Sequence, residues 1–353
     1  MADAVPAPWR ILIAGGGIAG LALALALKQA LAAAVEVTVC DPALTRDPRG
    51  DRRSYAIAAG ARRMLTALGM WSEIETQAQP ILDMVVTDSR LADPVRQAFL
   101  TFAGEIEPGE PFAHMIENGA LLAALIGACR AHGVDLRALG VEGFSRPADR
   151  ILADLSDGAR REAALLVAAD GARSRLREAA GIGWVGWAYD QQGIVATLSH
   201  ERDHEGRAVE HFLPSGPFAI LPLTPGGSLG HRSSMVWTET AAAVPGLLAL
   251  APERQLEEVE RRFGLQLGRL ALETPLQAHP LSFGIARRFA AERLALLGDA
   301  AHVIHPIAGQ GLNLGLRDLG LGLVDRAPAL KRFFIGQAAA LGDTPRLLRG
   351  QAL

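Results

Sequence analysis

Residues 10–40 constrain this chain more than any other segment. An apolar run from Arg10 to Ala14 leads into Gly15-Gly16-Gly17-Ile18-Ala19-Gly20. An alanine- and leucine-rich stretch then extends to about Ala33, and a second apolar run covers Glu36 to Cys40. Such runs suit strands covered on both faces, so the segment reads as strand, glycine turn, helix, strand. Gly15 permits the tight turn, Gly17 lets the backbone approach a diphosphate, and Gly20 allows close packing of helix on strand. Phosphate oxygens can then meet free N–H groups at the helix N-terminus. Asp41 follows the second strand, 21 residues after Gly20, where a carboxylate can accept hydrogen bonds from an adenosine ribose. The pattern predicts a dinucleotide site without saying which dinucleotide. Ile11 to Leu27 carries no charge, yet the early glycines and the closing Lys28 favour a buried strand and helix over a membrane span or a targeting segment.

Composition narrows the field. At about 150 residues per unit, 353 residues predict two or three compact units, and 50% hydrophobic content excludes a disordered chain. A net charge of −3 lacks the basic surplus of a general nucleic-acid binder. Cys40 and Cys129, the only cysteines, have no neighbours at ligand spacing, which points to a reducing compartment without disulfides or structural zinc. From Trp187 to Thr238 the character changes. Val209–Leu213, Phe218–Leu223 and Ser233–Trp237 alternate between Pro and Gly breaks and predict antiparallel strands. Leu294–Leu297 then returns to the style of a parallel sheet. The expected class is α/β, with a discontinuous Rossmann-like nucleotide-binding domain (1–80, 111–185 and 275–353) into which a β-rich substrate domain (81–110 and 186–274) is inserted.

Two later segments decide between dinucleotides. Leu165–Ala169 reads as a buried strand and runs into Asp170-Gly171-Ala172-Arg173-Ser174. Leu294–Leu297 runs into Gly298-Asp299-Ala300-Ala301-His302, followed by Pro306-Ile307-Ala308-Gly309-Gln310-Gly311-Leu312-Asn313. In this order and at these separations, the three motifs resemble the class A flavoprotein monooxygenases of the para-hydroxybenzoate hydroxylase fold. Arg53-Ser54-Tyr55-Ala56-Ile57, Leu68-Gly69-Met70-Trp71, His302 through Asp318, and the tail Asp325 to Phe334 resemble the ubiquinone-biosynthesis hydroxylases within that class. The likeness spans nearly the whole chain and is weakest in the β-rich middle.

The resemblance implies FAD as cofactor and NAD(P)H as reductant. It implies that Gly15, Gly17 and Gly20 hold the diphosphate and Asp41 the adenosine ribose. Arg52 or Arg53 would stand near flavin and diphosphate, and Asp170 and Gly171 would match the motif shared by FAD and passing NAD(P)H. Asp299 would hydrogen-bond the ribityl chain, with Gly298 beside it as a further cofactor-binding residue. Pro306 and the N–H groups of Gly309, Gln310, Gly311 and Leu312 would line the isoalloxazine, with Asn313 near its pyrimidine end. Helix N-terminal donors suit the negative charge of reduced flavin near N1. No side-chain nucleophile is evident, because the cofactor does the oxygen chemistry.

The implied reaction is hydroxylation of a polyprenylated phenol through a C4a-hydroperoxyflavin. Molecular oxygen, a hydrophobic prenylphenol and a ubiquinone-biosynthesis protein complex are the implied partners, in the cytoplasm and at most peripheral to the inner membrane. Taken singly, Asp170-Gly171 is an ordinary turn, and Arg52 and Arg53 are surface charges. His302 and His305 lack a third metal ligand. Trp184 and Trp187 are better assigned to the core than to a substrate site. A geranylgeranyl-reductase-like flavoenzyme and a shortened, non-catalytic accessory protein of the same fold remain as alternatives. The chain departs from the family pattern at Asp318-Leu319, where several tens of residues found in relatives are lacking.

Overall fold

The computed structural model describes residues 7–88, 90–93, 97–103 and 105–304. The junction at Asp318-Leu319 lies outside these residues. Alternation along the first strand, Trp9–Ala14, sets the layers of the parallel-sheet part. Ile11 and Ile13 face one side, and Leu12 and Ala14 face the other. The strand sits inside a six-stranded sheet in the order 135–137, 35–40, 9–14, 165–168, 294–296, 290–291, parallel except for the last pair. The Ile13 face is covered by two helices, Ile18–Leu31 and Asn118–Ala131, through Leu21, Leu25, Leu121 and Leu125. Burying each such leucine stabilises the fold by about 2–3 kcal/mol. The Leu12 face is covered by a three-stranded antiparallel sheet (141–145, 151–155 and 160–163), which contributes Ile151, Ala153 and Leu155.

The first helix stops two residues short of the expected Ala33. Ala32 takes φ +45°, and the Lys28 ammonium reaches back to the carbonyls of Ala32 and Val35, at 3.3 and 3.1 Å. A short 3-10 turn over Ala32–Ala34 then feeds the second strand.

The expected antiparallel strands of the middle segment lie within Arg207–Leu213, Gly216–Leu223 and His231–Thr240, paired His211 to Phe218 and Phe218 to Trp237. They belong to a larger sheet in the order 302–303, 277–286, 184–200, 231–240, 216–223, 207–213, 83–88, 100–103. One face packs Ile194, Phe218 and Trp237 against Val259 and Phe263 of the helix Pro252–Phe263. The other meets a small sheet made by Ser54–Ala58, Gln79–Ile81 and Ala113–Glu117, through Ala208, Leu223, Ile81, Ala113 and Met115. Arg232 ties the two sheets together, donating to Glu117 Oε1 and to the Thr224 carbonyl, each at 3.2 Å. Arg232→Ala is expected to cost about 1–2 kcal/mol in urea unfolding, because the pair is partly buried and hydrogen-bonded.

Trp187 departs from the core placement expected of it. It is 54% exposed on the ribbon formed by residues 184–188 and 282–286, and it packs on Phe283 at a ring separation of 4.5 Å. Alternation sends Trp184 to the opposite face of that ribbon, where it meets Arg177. Among the described residues no helix is long and apolar enough to cross a membrane.

Candidate active site

Gly15 to Gly20, Asp41, Asp170 with Gly171, and Gly298 with Asp299 gather at the carboxyl ends of four neighbouring parallel strands, whereas Arg52 and Arg53 precede the strand Ser54–Ala58 of the small sheet. Sheet order reverses direction between the 9–14 and 165–168 strands, and open α/β sheets form ligand crevices at such a reversal. The glycine turn closes tightly there. Gly15 holds φ +124°, its N–H donates to the Cys40 carbonyl at 2.9 Å, and a Cβ on it would lie 2.1 Å from the Ala169 oxygen. A Cβ on Gly20 would lie 2.1 Å from the Gly15 oxygen, so the helix starts closer to the turn than any side chain permits. Gly17 is the N-cap of that helix and supplies no side-chain cap, and a Cβ on it would meet nothing within 4 Å. Asp41 is held rigidly, one carboxylate oxygen accepting from Gly16 N–H and the other from Ala43 N–H, both at 2.7 Å.

The second and third motifs close on the first. Ala169 N–H donates to the Ala14 carbonyl at 2.7 Å, and Leu297 N–H to the Ala168 carbonyl at 2.9 Å. Gly298 stands so near the first helix that a Cβ on it would touch the Ala19 methyl at 3.5 Å. Asp170 accepts from Leu176 N–H through Oδ2 at 3.4 Å, while its Oδ1 is buried with no hydrogen-bond partner among the described residues. Gly171 follows at φ +85° with open space around it.

Asp299 is solvent-accessible, yet protein lies close on several sides of its carboxyl. Desolvation raises its carboxyl above the ordinary range, partly opposed by His302. Its charge also reaches Tyr55. Burial raises that phenol, Arg53 opposes the rise, and Asp51 and Asp299 add to it. Arg53 is exposed and grips Asp51 with Nε and Nη2, and Asn118 Nδ2 donates to the same carboxylate at 2.6 Å. Arg52 is exposed. Burial works against the Asp51 charge, but these hydrogen bonds hold its carboxyl below the ordinary range.

Comparison with known proteins settles the class. The sequence profile of the FAD binding domain family matches residues 9–321. This chain belongs to that family. It is 42% identical over 343 residues to ubiquinone hydroxylase UbiL of Rhodospirillum rubrum, covering 96% of this chain and 77% of that relative. It is 34% identical over 319 residues to 3-demethoxyubiquinol 3-hydroxylase of Escherichia coli, covering 88% and 78% of the two chains. In fold it is similar to p-nitrophenol 4-monooxygenase PnpA of Pseudomonas putida, with a TM-score of 0.71 at 18% identity, over 95% of this chain and 81% of that one. The fold is that of para-hydroxybenzoate hydroxylase, and the chain is a flavin-dependent monooxygenase that takes FAD. NAD(P)H is the usual reductant in the family.

Two features of the flavoprotein fit the cofactor. The helix beginning at Ile18 presents N–H groups that no side chain caps, beside the open space at Gly17. Asp170 Oδ1, buried and without a hydrogen-bond partner among the described residues, is an acceptor that a cofactor hydroxyl would satisfy. Arg177 is a structural partner of the site that the sequence motifs did not single out. It is 4% exposed, and its guanidinium donates to the carbonyls of Ala172 and Ala300 at 3.1 and 3.0 Å while lying 4.0 Å over the Trp184 ring. The only local sign of it is Ser174, whose hydroxyl caps the Arg177 N–H at 3.0 Å. Pro306, Gly309, Gln310, Gly311, Leu312 and Asn313 lie outside the described residues, as does His305.

The raised Asp299 carboxyl has a testable consequence. Between its unfolded value of 3.8 and its higher folded value, the native state keeps a proton that the unfolded chain has released. Stability therefore falls as pH rises through that window. Thermal melts of the cofactor-free protein from about pH 4 to about pH 7 should show Asp299→Asn gaining on the wild type as pH rises.

Proposed function

We propose that this chain hydroxylates the aromatic ring of a polyprenylated phenol on the route to ubiquinone, using FAD, NAD(P)H and oxygen. The observation that carries the substrate is the 42% identity, along 96% of the chain, to a relative named as a ubiquinone hydroxylase. When bound, FAD supplies electron transfer from NAD(P)H to oxygen and delivery of one oxygen atom to the ring. The chain's own residues bind and orient. Gly15, Gly17 and Gly20 would free the first helix N-terminus for the diphosphate, and Asp41 would take the adenosine ribose. Asp170 would accept a cofactor hydroxyl on its unpartnered oxygen, beside Gly171. Gly298 and Asp299 would meet the ribityl chain, and Arg52 or Arg53 would stand near the diphosphate. Pro306 and the 309–313 segment would line the isoalloxazine.

In this reading, residues 1–80, 111–185 and 275–353 form the cofactor-binding part, and 81–110 with 186–274 cover the substrate. Membrane contact is peripheral, with a protein assembly of the same pathway as partner. The purified protein is expected to be yellow. Adding a short-chain prenylphenol should accelerate NAD(P)H oxidation and oxygen uptake in step with formation of hydroxylated product. Hydride consumption with no oxygen uptake would make the enzyme a reductase and defeat the proposal.

A further inference from the structure

Glu210 is a buried carboxyl that the cofactor site does not use. Along Arg207–Leu213 the side chains alternate. Val209 and Leu213 pack into the Phe218–Trp237 core, while Ala208 joins Ile81, Ala113 and Met115 on the face toward the small sheet. Glu210 shares the Ala208 face, two residues further along. Sheet register sets it in one lateral row running Val86, Glu210, Ala219, Val236, Val195. The four apolar members of that row are half-buried, whereas Glu210 is only 5% exposed. No hydrogen bond or charge among the described residues acts on its carboxyl, and burial alone pushes it above the ordinary carboxylate range. The Ala56–Met115 side of the small sheet packs against this face, while Tyr55, which feels the Asp299 charge, lies on the opposite side of the same strand.

The row ends at Gln277 beyond Val195 and is apolar between that residue and Glu210, which matches an amphiphile with one polar group and a hydrocarbon body. Buried polar groups without protein partners are ordinarily satisfied by something else. Resting on the function proposed above, we infer that Glu210 is a substrate-contact residue that takes the ring hydroxyl of the phenol, with Val86, Ala219 and the valines further along the row taking the hydrocarbon. An ionised Glu210 accepts from the phenol O–H, and a protonated one can donate to the phenol oxygen. A glutamine at this position can do either.

The test compares wild type, Glu210→Gln, Glu210→Leu and Glu210→Met as FAD-loaded enzymes, with a short-chain prenylphenol and its O-methyl ether as probes. Glu210→Leu should raise KM for the phenol about tenfold or more, change kcat less, and leave urea stability equal or higher because an unpartnered carboxyl is gone. Glu210→Gln should stay within about threefold of wild type. Wild type should bind the phenol more tightly than the ether, and Glu210→Leu should lose that preference. Glu210→Met serves the same comparison if the leucine variant does not fold. An active wild type with unchanged KM and ether discrimination in the apolar variants would overturn the role of Glu210 and leave the hydroxylase reading standing. A wild type that neither binds nor oxidises the phenol would overturn both.

Discussion

Gly17→Ala is expected to leave the fold intact and abolish flavin retention, whereas Gly20→Ala is expected to damage both. The two glycines sit three residues apart in the same turn, but their surroundings differ. A methyl on Gly17 meets nothing within 4 Å, so the cost to the cofactor-free protein should stay under about 1 kcal/mol, the scale of an N-cap change. In the proposed function, that methyl would project into the open space before the helix N-terminus that the diphosphate would occupy. Flavin bound per chain after purification should fall at least about tenfold. A methyl on Gly20 would lie 2.1 Å from the Gly15 carbonyl oxygen, which is backbone and cannot rotate away. Helix and turn must separate, at a cost of about 3 kcal/mol. Absorbance at the flavin band and urea midpoints, measured on both variants, separate the cases. A Gly17→Ala protein that keeps its colour would show that the turn does not carry the diphosphate.

Arg177→Met should destabilise the protein by about 3–5 kcal/mol, the larger of the two stability losses. The substitution leaves the carbonyls of Ala172 and Ala300 without the donor they share and removes a cation stacked on Trp184. Arg177→Lys should recover less than half of the loss. One ammonium cannot reach two carbonyls in the fixed plane that a guanidinium fork offers. Arg177 joins the loop after Asp170 to the loop carrying Asp299, so its loss should also loosen the cleft. Flavin dissociation from Arg177→Lys should be faster than from wild type even at temperatures where the variant is fully folded.

Much of this architecture was legible in the chain because the informative contacts are local or periodic. Gly15 to Gly20 and Asp41 announce a strand–helix–strand unit, and the apolar runs at Leu165 and Leu294 announce parallel neighbours. Alternation in Val209–Leu213 and Phe218–Leu223 gave the antiparallel strands. What stayed hidden depends on distant pairings. Arg177 meets the Ala300 carbonyl across 123 residues, and Asn118 reaches Asp51 across 67. No spacing rule links such partners. Trp187 was misread because an aromatic residue on a strand is ordinarily core, yet the ribbon it sits on turns that face outward. Glu210 was invisible because a single acidic residue among apolar ones reads as a solvated position until register shows which face it occupies.

The seventeen-residue strand Trp184–His200 limits how the molecule can be dismantled. Its beginning pairs with Ala286 and meets Arg177, and its end pairs with His231 and Leu270. A truncated gene product ending partway along this strand would leave a raw edge of unpaired amides, an invitation to aggregate. Neither half should therefore be recoverable in soluble form on its own.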